Sequence, residues 1–421
     1  MLTSLFCCLI AAVSWTQFRG PNGQGQTGDA ALPLTWSEQH NVAWKTALPG
    51  KGWSSPVLCD NQAWMTAASE DGRTLFALAV ALDTGRLLHN VTVFCRSEPL
   101  FVHAKNSYAS PTPVIEPGRV YVNFGAAGTA CLDAITGAVL WRSQALQLEH
   151  AVGPGSSPIL YRDLLILNCD GTNTQYVAAL DKRTGQLAWR TPRSGKLNDN
   201  PDCRKAFSTC AIASVRGKDQ LISLGADWLY GYDPLTGKEF WRCGFKGFSN
   251  VPIPILGDGL IYISTGFGRP HLWAIRPDTA TVAWKYEKPA PAIPSPLKVG
   301  DAVYFVTESG VAICLDARTG AERWREVLRG AHAASPLHNR GRIYFFGENG
   351  RTKVVAAASP FQLMATNELD GMIMATPAVL DNALIVRTDK ALYRIEQRSP
   401  VPDQRFIDQN TRNRGGGTPA R

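Results

Sequence analysis

The chain has 421 residues, 45% hydrophobic and 19% charged, with 38 Gly, 27 Pro and 12 Trp. This is a globular, turn-rich composition, long enough for one large repeat domain or two ordinary ones. The net charge of +8 is diffuse, and Gln397 to Arg421 alone carries five Arg against two Asp. No dense Lys/Arg stripe with interleaved aromatics occurs, which argues against a nucleic-acid partner, and no apolar run is long enough for a transmembrane helix, so an integral membrane protein is not expected.

Residues 1–14 are apolar and uncharged, and Ala12-Val13-Ser14 places small residues at −3 and −1 before Trp15. Although a positive n-region is lacking, this predicts a signal peptide over 1–14 and a periplasmic or secreted protein. Cys7 follows no convincing lipobox, so a lipid anchor is not expected. Residues 15–40 read as an N-terminal extension. Its Gly20-Pro-Asn-Gly-Gln-Gly25 follows no strand and opens no helix, so it is a turn rather than a phosphate cradle. Asn41-Val42-Ala43-Trp44-Lys45 then reads as a lone strand.

From there one phrase recurs: an apolar strand ending in Leu-Asp, a Thr-Gly turn, and a strand reaching Trp. It reads Leu132-Asp133-Ala134-Ile135-Thr136-Gly137 with Trp141, and Leu180 to Gly185 with Trp189. It returns as Asp233 to Gly237 with Trp241 and Asp316 to Gly320 with Trp324. Weaker copies are Asp83-Thr84-Gly85 with His89, Pro277 to Ala280 with Trp284, and a unit near Ser359. Asp accepts backbone N–H bonds and Gly supplies positive φ, so these are turn formers; the Trp rings are sheet-packing anchors.

A second anchor shares the period. A small residue plus Pro opens a strand at Ser55-Pro56, Ser110-Pro111, Ser157-Pro158, Ser295-Pro296, Ser335-Pro336 and Thr376-Pro377, with variants at Phe207 to Cys210 and Asn250-Val251-Pro252. A period of about 40–50 residues means stacked units that cannot bury their faces alone. Four strands per unit predict an all-β fold, an eight-bladed β-propeller over residues 41–396. The last unit has only three strands, so the lone strand at Asn41–Lys45 is expected to close it. Residues 397–421, with Gly415-Gly416-Gly417, read as a disordered basic tail.

Of the ten Cys, eight lie beyond residue 14. Cys131 and Cys314 share one repeat position and read as small buried side chains. Cys203 and Cys210 flank a loop and are the expected disulfide. No CxxC pair and only seven scattered His occur, so no metal site is expected. Catalytic signatures are equally thin: GxSxG is absent, and Glu70-Asp71 reads as a solvated turn.

In a propeller, the loops before each first strand and between second and third strands share one face. That face collects the unusual polar and aromatic residues: Lys51, Trp53, His103, Lys105, Asn106, Asp170, Thr172, Lys205, Asp227, Trp228, Asn250, Arg269 and His332. Such a channel mouth suits a small anionic ligand or an unidentified protein partner.

The Leu-Asp-x-x-Thr-Gly-x-x-x-Trp phrase resembles the repeat of pyrroloquinoline-quinone (PQQ)-type propellers, over residues 40–396. That superfamily includes quinoprotein alcohol dehydrogenases and the propeller lipoprotein of the outer-membrane β-barrel assembly machine. Trp15 to Gly25, His103 to Pro111, Val152 to Pro158 and Gly247 to Pro252 resemble segments of exported PQQ-like repeat proteins of planctomycete-type bacteria. The dehydrogenase resemblance would imply PQQ with calcium, a vicinal disulfide and a catalytic Asp. The sole adjacent cysteines are Cys7-Cys8, off the propeller, and no haem-attachment motif occurs. No catalytic residue or cofactor is therefore carried over. The expectation is an exported, non-enzymatic binding or scaffold propeller. The alternatives are a PQQ-dependent dehydrogenase and an outer-membrane assembly factor.

Overall fold

A computed structural model describes residues 15–398. The expected signal at 1–14 and the tail from 399 onward lie outside the described residues. The chain forms eight antiparallel four-stranded sheets. Blades 1 to 7 span residues 57–95, 114–143, 159–192, 211–244, 255–286, 297–327 and 337–368. In blade 8, strands Ala378–Leu380, Ala383–Arg387 and Ala391–Glu396 are completed by the amino-terminal strand Val42–Ala47. Its register runs from Val42 opposite Ile395 to Ala47 opposite Ala391. The expected eight-bladed ring, closed by an N-terminal strand, is thus the observed one.

The repeat phrase explains the stacking. The Asp133 carboxylate accepts from Ile135 N, Thr136 N and Thr136 Oγ1 at 3.0, 2.7 and 2.9 Å. Asp181 and Asp316 repeat the arrangement. Gly137, Gly185 and Gly320 follow with φ of 74°, 73° and 73°. Where the next blade keeps its turn Gly, the Trp packs against it: a Cβ on Gly185 would lie 2.5 Å from Trp141, one on Gly237 2.5 Å from Trp189, and one on Gly320 2.5 Å from Trp284. The turn Gly is thus required twice, for its φ and for the room it gives the neighbouring indole. Trp44 of the closing strand meets Gly85 in the same way, so the outer circuit runs unbroken across the closure. In blade 1, His89 takes the Trp place and its Nε2 lies 3.0 Å from Ile135 O.

The innermost strands line the central channel, and two sequence anchors shift by two residues there. Thr112-Pro113 and Ile253-Pro254, not Ser110-Pro111 and Val251-Pro252, stand two positions before their strands as Ser55-Pro56 does. Cys203 and Cys210 do not form the expected disulfide; all described cysteines are free thiols. Cys203 ends a 3₁₀ turn, whereas Cys210 is buried with its thiol 3.0 Å from Asn168 Oδ1. The two side chains serve different surroundings.

Residues 15–40 have a structural role that the sequence did not reveal. They run beneath the ring and close the channel from the turn face. Inner strands are edge strands, and their free N–H groups need acceptors. The extension supplies them. Leu58 N donates to Trp15 O, Ile115 N to Thr16 O, His338 N to Gly25 O, and Leu256 N to Gln24 Oε1. Trp15 and Trp36 are buried in one apolar cluster with residues of blades 1, 7 and 8. The plug therefore reinforces the blades around the closure.

Candidate functional site

With its floor sealed, the channel becomes a blind cavity of about 420 Å³ open at the loop face. That lies within the usual range for small-molecule sites, roughly 300–1,000 Å³. Phe18 of the plug belongs to its lining, as do Trp53, Phe207, Phe248, Phe267 and Met374. Phe248 and Phe267 meet with ring centroids 6.3 Å apart.

A belt of hydroxyls lines the wall in two arcs, contributed by the residue two places before the innermost strand of every blade but the fifth, where Ile253 stands. Ser55 N donates to Thr112 Oγ1 (3.0 Å), Thr112 N to Ser157 Oγ (2.9 Å), and Ser157 N to Thr209 Oγ1 (3.0 Å). A second arc runs from Ile253 N to Ser295 Oγ (3.2 Å), Ser295 N to Ser335 Oγ (3.0 Å), and Ser335 N to Thr376 Oγ1 (2.9 Å). Each bond ties a blade to its neighbour and satisfies an inner backbone N–H.

Of the sequence candidates, Trp53, His103, Lys105, Asn106 and Lys205 come together on this cavity. Lys105 Nζ reaches Glu348 Oε1 of blade 7 at 3.3 Å, linking loops from separate parts of the ring. His103 Nδ1 accepts from Lys105 N at 3.2 Å and shapes that loop. Asn106 Nδ2 donates to Val152 O and Pro154 O, at 2.9 and 3.2 Å, and fixes the neighbouring loop. Lys205 Nζ donates to Asp202 O at 2.6 Å and lies 3.6 Å from the Asp202 carboxylate. Among the described residues no carboxylate belongs to the lining itself; Glu348 and Asp202 meet the two lysines from outside it.

The remaining candidates lie elsewhere. Lys51 is exposed, its ammonium 5.2 Å from the Trp53 ring. Trp228 donates to Lys196 O, and Arg269 is exposed in its loop. Thr172 Oγ1 lies 3.4 Å from Glu149 O, and Asp227 Oδ1 accepts from Gly247 N, so both brace loops. Asn250 is fully buried and ties the chain to Ser264 O. His332 is 2% exposed, and burial pushes its pKa down to about 4. Asp170 is buried in a two-point pair with Arg193, at 2.9 and 2.6 Å. Burial opposes both charges, and Asp170 holds the Arg193 pKa well above its ordinary value.

Two further buried arginines were not singled out by sequence. Arg19 and Arg387 are 0% and 3% exposed. Burial lowers each pKa to about 9, with no acid opposing it. Arg19 Nη2 donates to Pro296 O at 2.8 Å, next to the Ser295 of the belt. Arg387 Nη1 donates to Ser54 O and Thr66 O at 3.0 and 2.9 Å. For Arg19, the turn-rich Phe18-Arg-Gly-Pro-Asn-Gly run was the available signal. For Arg387 there was none, because a lone Arg in a strand carries no motif.

The donor set does not fit a calcium-held quinone. The lining lacks carboxylates, and no group of three His, Cys, Asp or Glu among the described residues could hold a metal ion.

Fold and cavity together define a closed propeller of the PQQ-repeat class with a plugged axial channel. The family profile described as "Outer membrane protein assembly factor BamB" (PQQ_2) matches residues 35–192 and 173–399, and the chain belongs to that family. It is 20% identical to outer membrane protein assembly factor BamB of Shewanella oneidensis over 304 residues, covering 66% of this chain and 72% of that protein. It is 27% identical over 165 residues to the serine/threonine-protein kinase AfsK of Streptomyces griseus, covering 36% of this chain and 20% of the kinase. Likeness to quinohemoprotein alcohol dehydrogenase ADH IIB of Pseudomonas putida is 26% over 196 residues, covering 40% of this chain and 24% of the enzyme. The chain thus spans only a fifth of the kinase and about a quarter of the dehydrogenase. Among solved structures, BamB from Moraxella catarrhalis superposes with a TM-score of 0.61 at 15% identity, covering 84% of this chain and 99% of that one. This last likeness shows the fold alone.

Proposed function

We propose that the chain is an exported, non-enzymatic binding propeller that takes a small organic anion with an apolar body into its blind cavity. One observation carries the reading: the lining joins several aromatic rings to Lys105, Lys205 and His103, while the carboxylates that pair with the two lysines, Glu348 and Asp202, stay outside it. The rings supply apolar contact area and the cations favour negative charge. Export rests on the apolar, uncharged residues 1–14. Among the described residues no helix is long and apolar enough to cross a membrane.

The test is a fluorescence titration with 8-anilinonaphthalene-1-sulfonate and with N-phenyl-1-naphthylamine, its uncharged relative. Saturable one-site binding of the sulfonate, at least about fivefold tighter than the neutral probe, is expected, about 1 kcal/mol. Lys105→Ala should weaken sulfonate binding at low salt, with the effect fading at high salt. Absence of saturable sulfonate binding would defeat the reading. So would dye reduction with alcohols or sugars after PQQ and calcium are added.

A second reading is favoured by the family match: a part in outer-membrane protein assembly, the role that the BamB name describes. Capture of that assembly machinery from envelope fractions by the tagged chain would support it; clean preparations without it would count against it.

A further inference from the structure

The hydroxyl belt is broken at two junctions, and the breaks differ. Between blades 4 and 5 the belt position is Ile253, an apolar side chain with no hydroxyl to satisfy. Between blades 8 and 1 the hydroxyl is present. Ser55 Oγ is buried and finds no hydrogen-bond partner among the described residues. Two residues earlier Trp53 Nε1 is in the same condition. Both side chains line the cavity.

Arg387 stands at this same junction. Its Nη1 donates to Ser54 O and to Ser54 Oγ, at 3.0 and 2.8 Å. Ser54 lies directly between Trp53 and Ser55. The Arg387 Nε is buried without a partner among the described residues, and none of its bonded neighbours is an acid. An indole N–H can only donate, and a guanidinium can only donate. The Ser55 hydroxyl can donate as well as accept, so with two donor-only groups and an uncompensated positive charge at one junction, an anionic acceptor would complete all three.

We propose that the junction of blades 8 and 1 is the oxyanion seat of the cavity, where Trp53 Nε1–H and Ser55 Oγ–H hold the head group of an aromatic anion under the charge of Arg387. The seat rests on the cavity being a binding site, and it adds which wall the ligand's charge faces. The apolar body then lies across Phe18 and Phe207, and Lys105 guards the mouth rather than holding the head group.

The experiment compares wild type, Ser55→Ala, Trp53→Phe and Lys105→Ala in titrations with 8-anilinonaphthalene-1-sulfonate and N-phenyl-1-naphthylamine at low and high salt. Loss of a hydrogen bond to a charged group should raise the sulfonate Kd about tenfold in Ser55→Ala and in Trp53→Phe. That loss should persist at high salt, because the donors are buried, while the smaller Lys105→Ala effect fades. Affinity for the neutral probe should move less than about twofold. Thermal melts without ligand should match or exceed wild type for Ser55→Ala, since that variant removes an unsatisfied hydroxyl. Unchanged sulfonate affinity in both variants, or an equal loss for both probes, overturns the seat while the cavity reading stands. Wild type that binds neither probe overturns the cavity reading itself.

Discussion

Two junctions of the ring bury an arginine, and they resolve its charge in opposite ways. Between blades 3 and 4, Arg193 meets Asp170 at two points, donates to Ser223 Oγ and Asn168 Oδ1, and lies 4.9 Å from the Tyr230 ring. Between blades 8 and 1, Arg387 is equally buried and is offered only carbonyls and a hydroxyl. The first junction is electrostatically complete. The second, where the first strand closes the last blade, keeps a positive charge without an acid, bonded to the Ser54 that lies between Trp53 and Ser55. A buried charge left without its counter-charge is expensive, so the difference separates a strut from a site.

The comparison can be broken most violently at the closing junction. Deleting residues 15–47 removes both the plug and the fourth strand of blade 8. Loss of the cooperative melting transition is expected by calorimetry. A truncated chain that melts like the full one would refute the closed ring. Next in size is Asp170→Ala, which would give the 3–4 junction the unpaired arginine native to 8–1. Breaking one partner of a buried pair should cost about 3–5 kcal/mol in urea denaturation. The double change Asp170→Leu with Arg193→Met should recover most of that loss, because apolar side chains of similar volume remove both charges together.

The outer half of each blade was legible in the sequence because its chemistry is local. Asp133 bonds to atoms two and three residues on, and Gly137 is required by its own φ. Trp141 reaches across to the next blade, yet its constant spacing from Gly137 exposes it. The inner half was legible only in part. The Ser-Pro anchors were found, but in two blades the register was off by two residues, because the belt bonds link blades rather than neighbours in sequence. Phe18 was beyond reach, since no pattern along the chain says that a segment at residue 18 packs against the apolar residues of blades 5 and 6. Asp170 and His332 were chosen for polarity on a loop face, and burial took both away from the cavity.

His332 sharpens the contrast by showing a third solution to a buried base, which is to lose its proton. Its Nδ1 lies 3.2 Å from Gly330 O, and burial, aided by the Lys353 charge, lowers its pKa to about 4. The unfolded side chain titrates near 6.5, as histidines ordinarily do. Between those values the unfolded state binds more protons than the folded one, so stability rises with pH across the window. Stability contributed by the neutral ring is present above about pH 6.5 and drains away as pH falls toward 4. The loss should be on the order of 2 kcal/mol. His332→Asn should flatten that slope in urea denaturation at pH 4.5 and 7. An unchanged slope would mean that the ring is already charged in the fold.

The smallest expected effect on stability is the most telling. Arg387→Met removes the guanidinium and keeps an aliphatic side chain against the Ser54 and Thr66 backbone. Two opposing terms follow. Ser54 O loses its charged donor, at a cost of about 1–3 kcal/mol, whereas Thr66 O keeps the bond from the Ser54 hydroxyl. Relief of an uncompensated buried charge works the other way and is of similar or greater size. The net change should stay within about 1 kcal/mol of wild type, far below the Asp170→Ala cost. Yet 8-anilinonaphthalene-1-sulfonate, which should raise the wild-type melting temperature by mass action, should raise the variant's much less. If Arg387→Met instead unfolds the ring as readily as Asp170→Ala, Arg387 is a strut after all, and the two junctions are alike. If it leaves both stability and ligand protection untouched, the positive charge at the closing junction has no anion to meet.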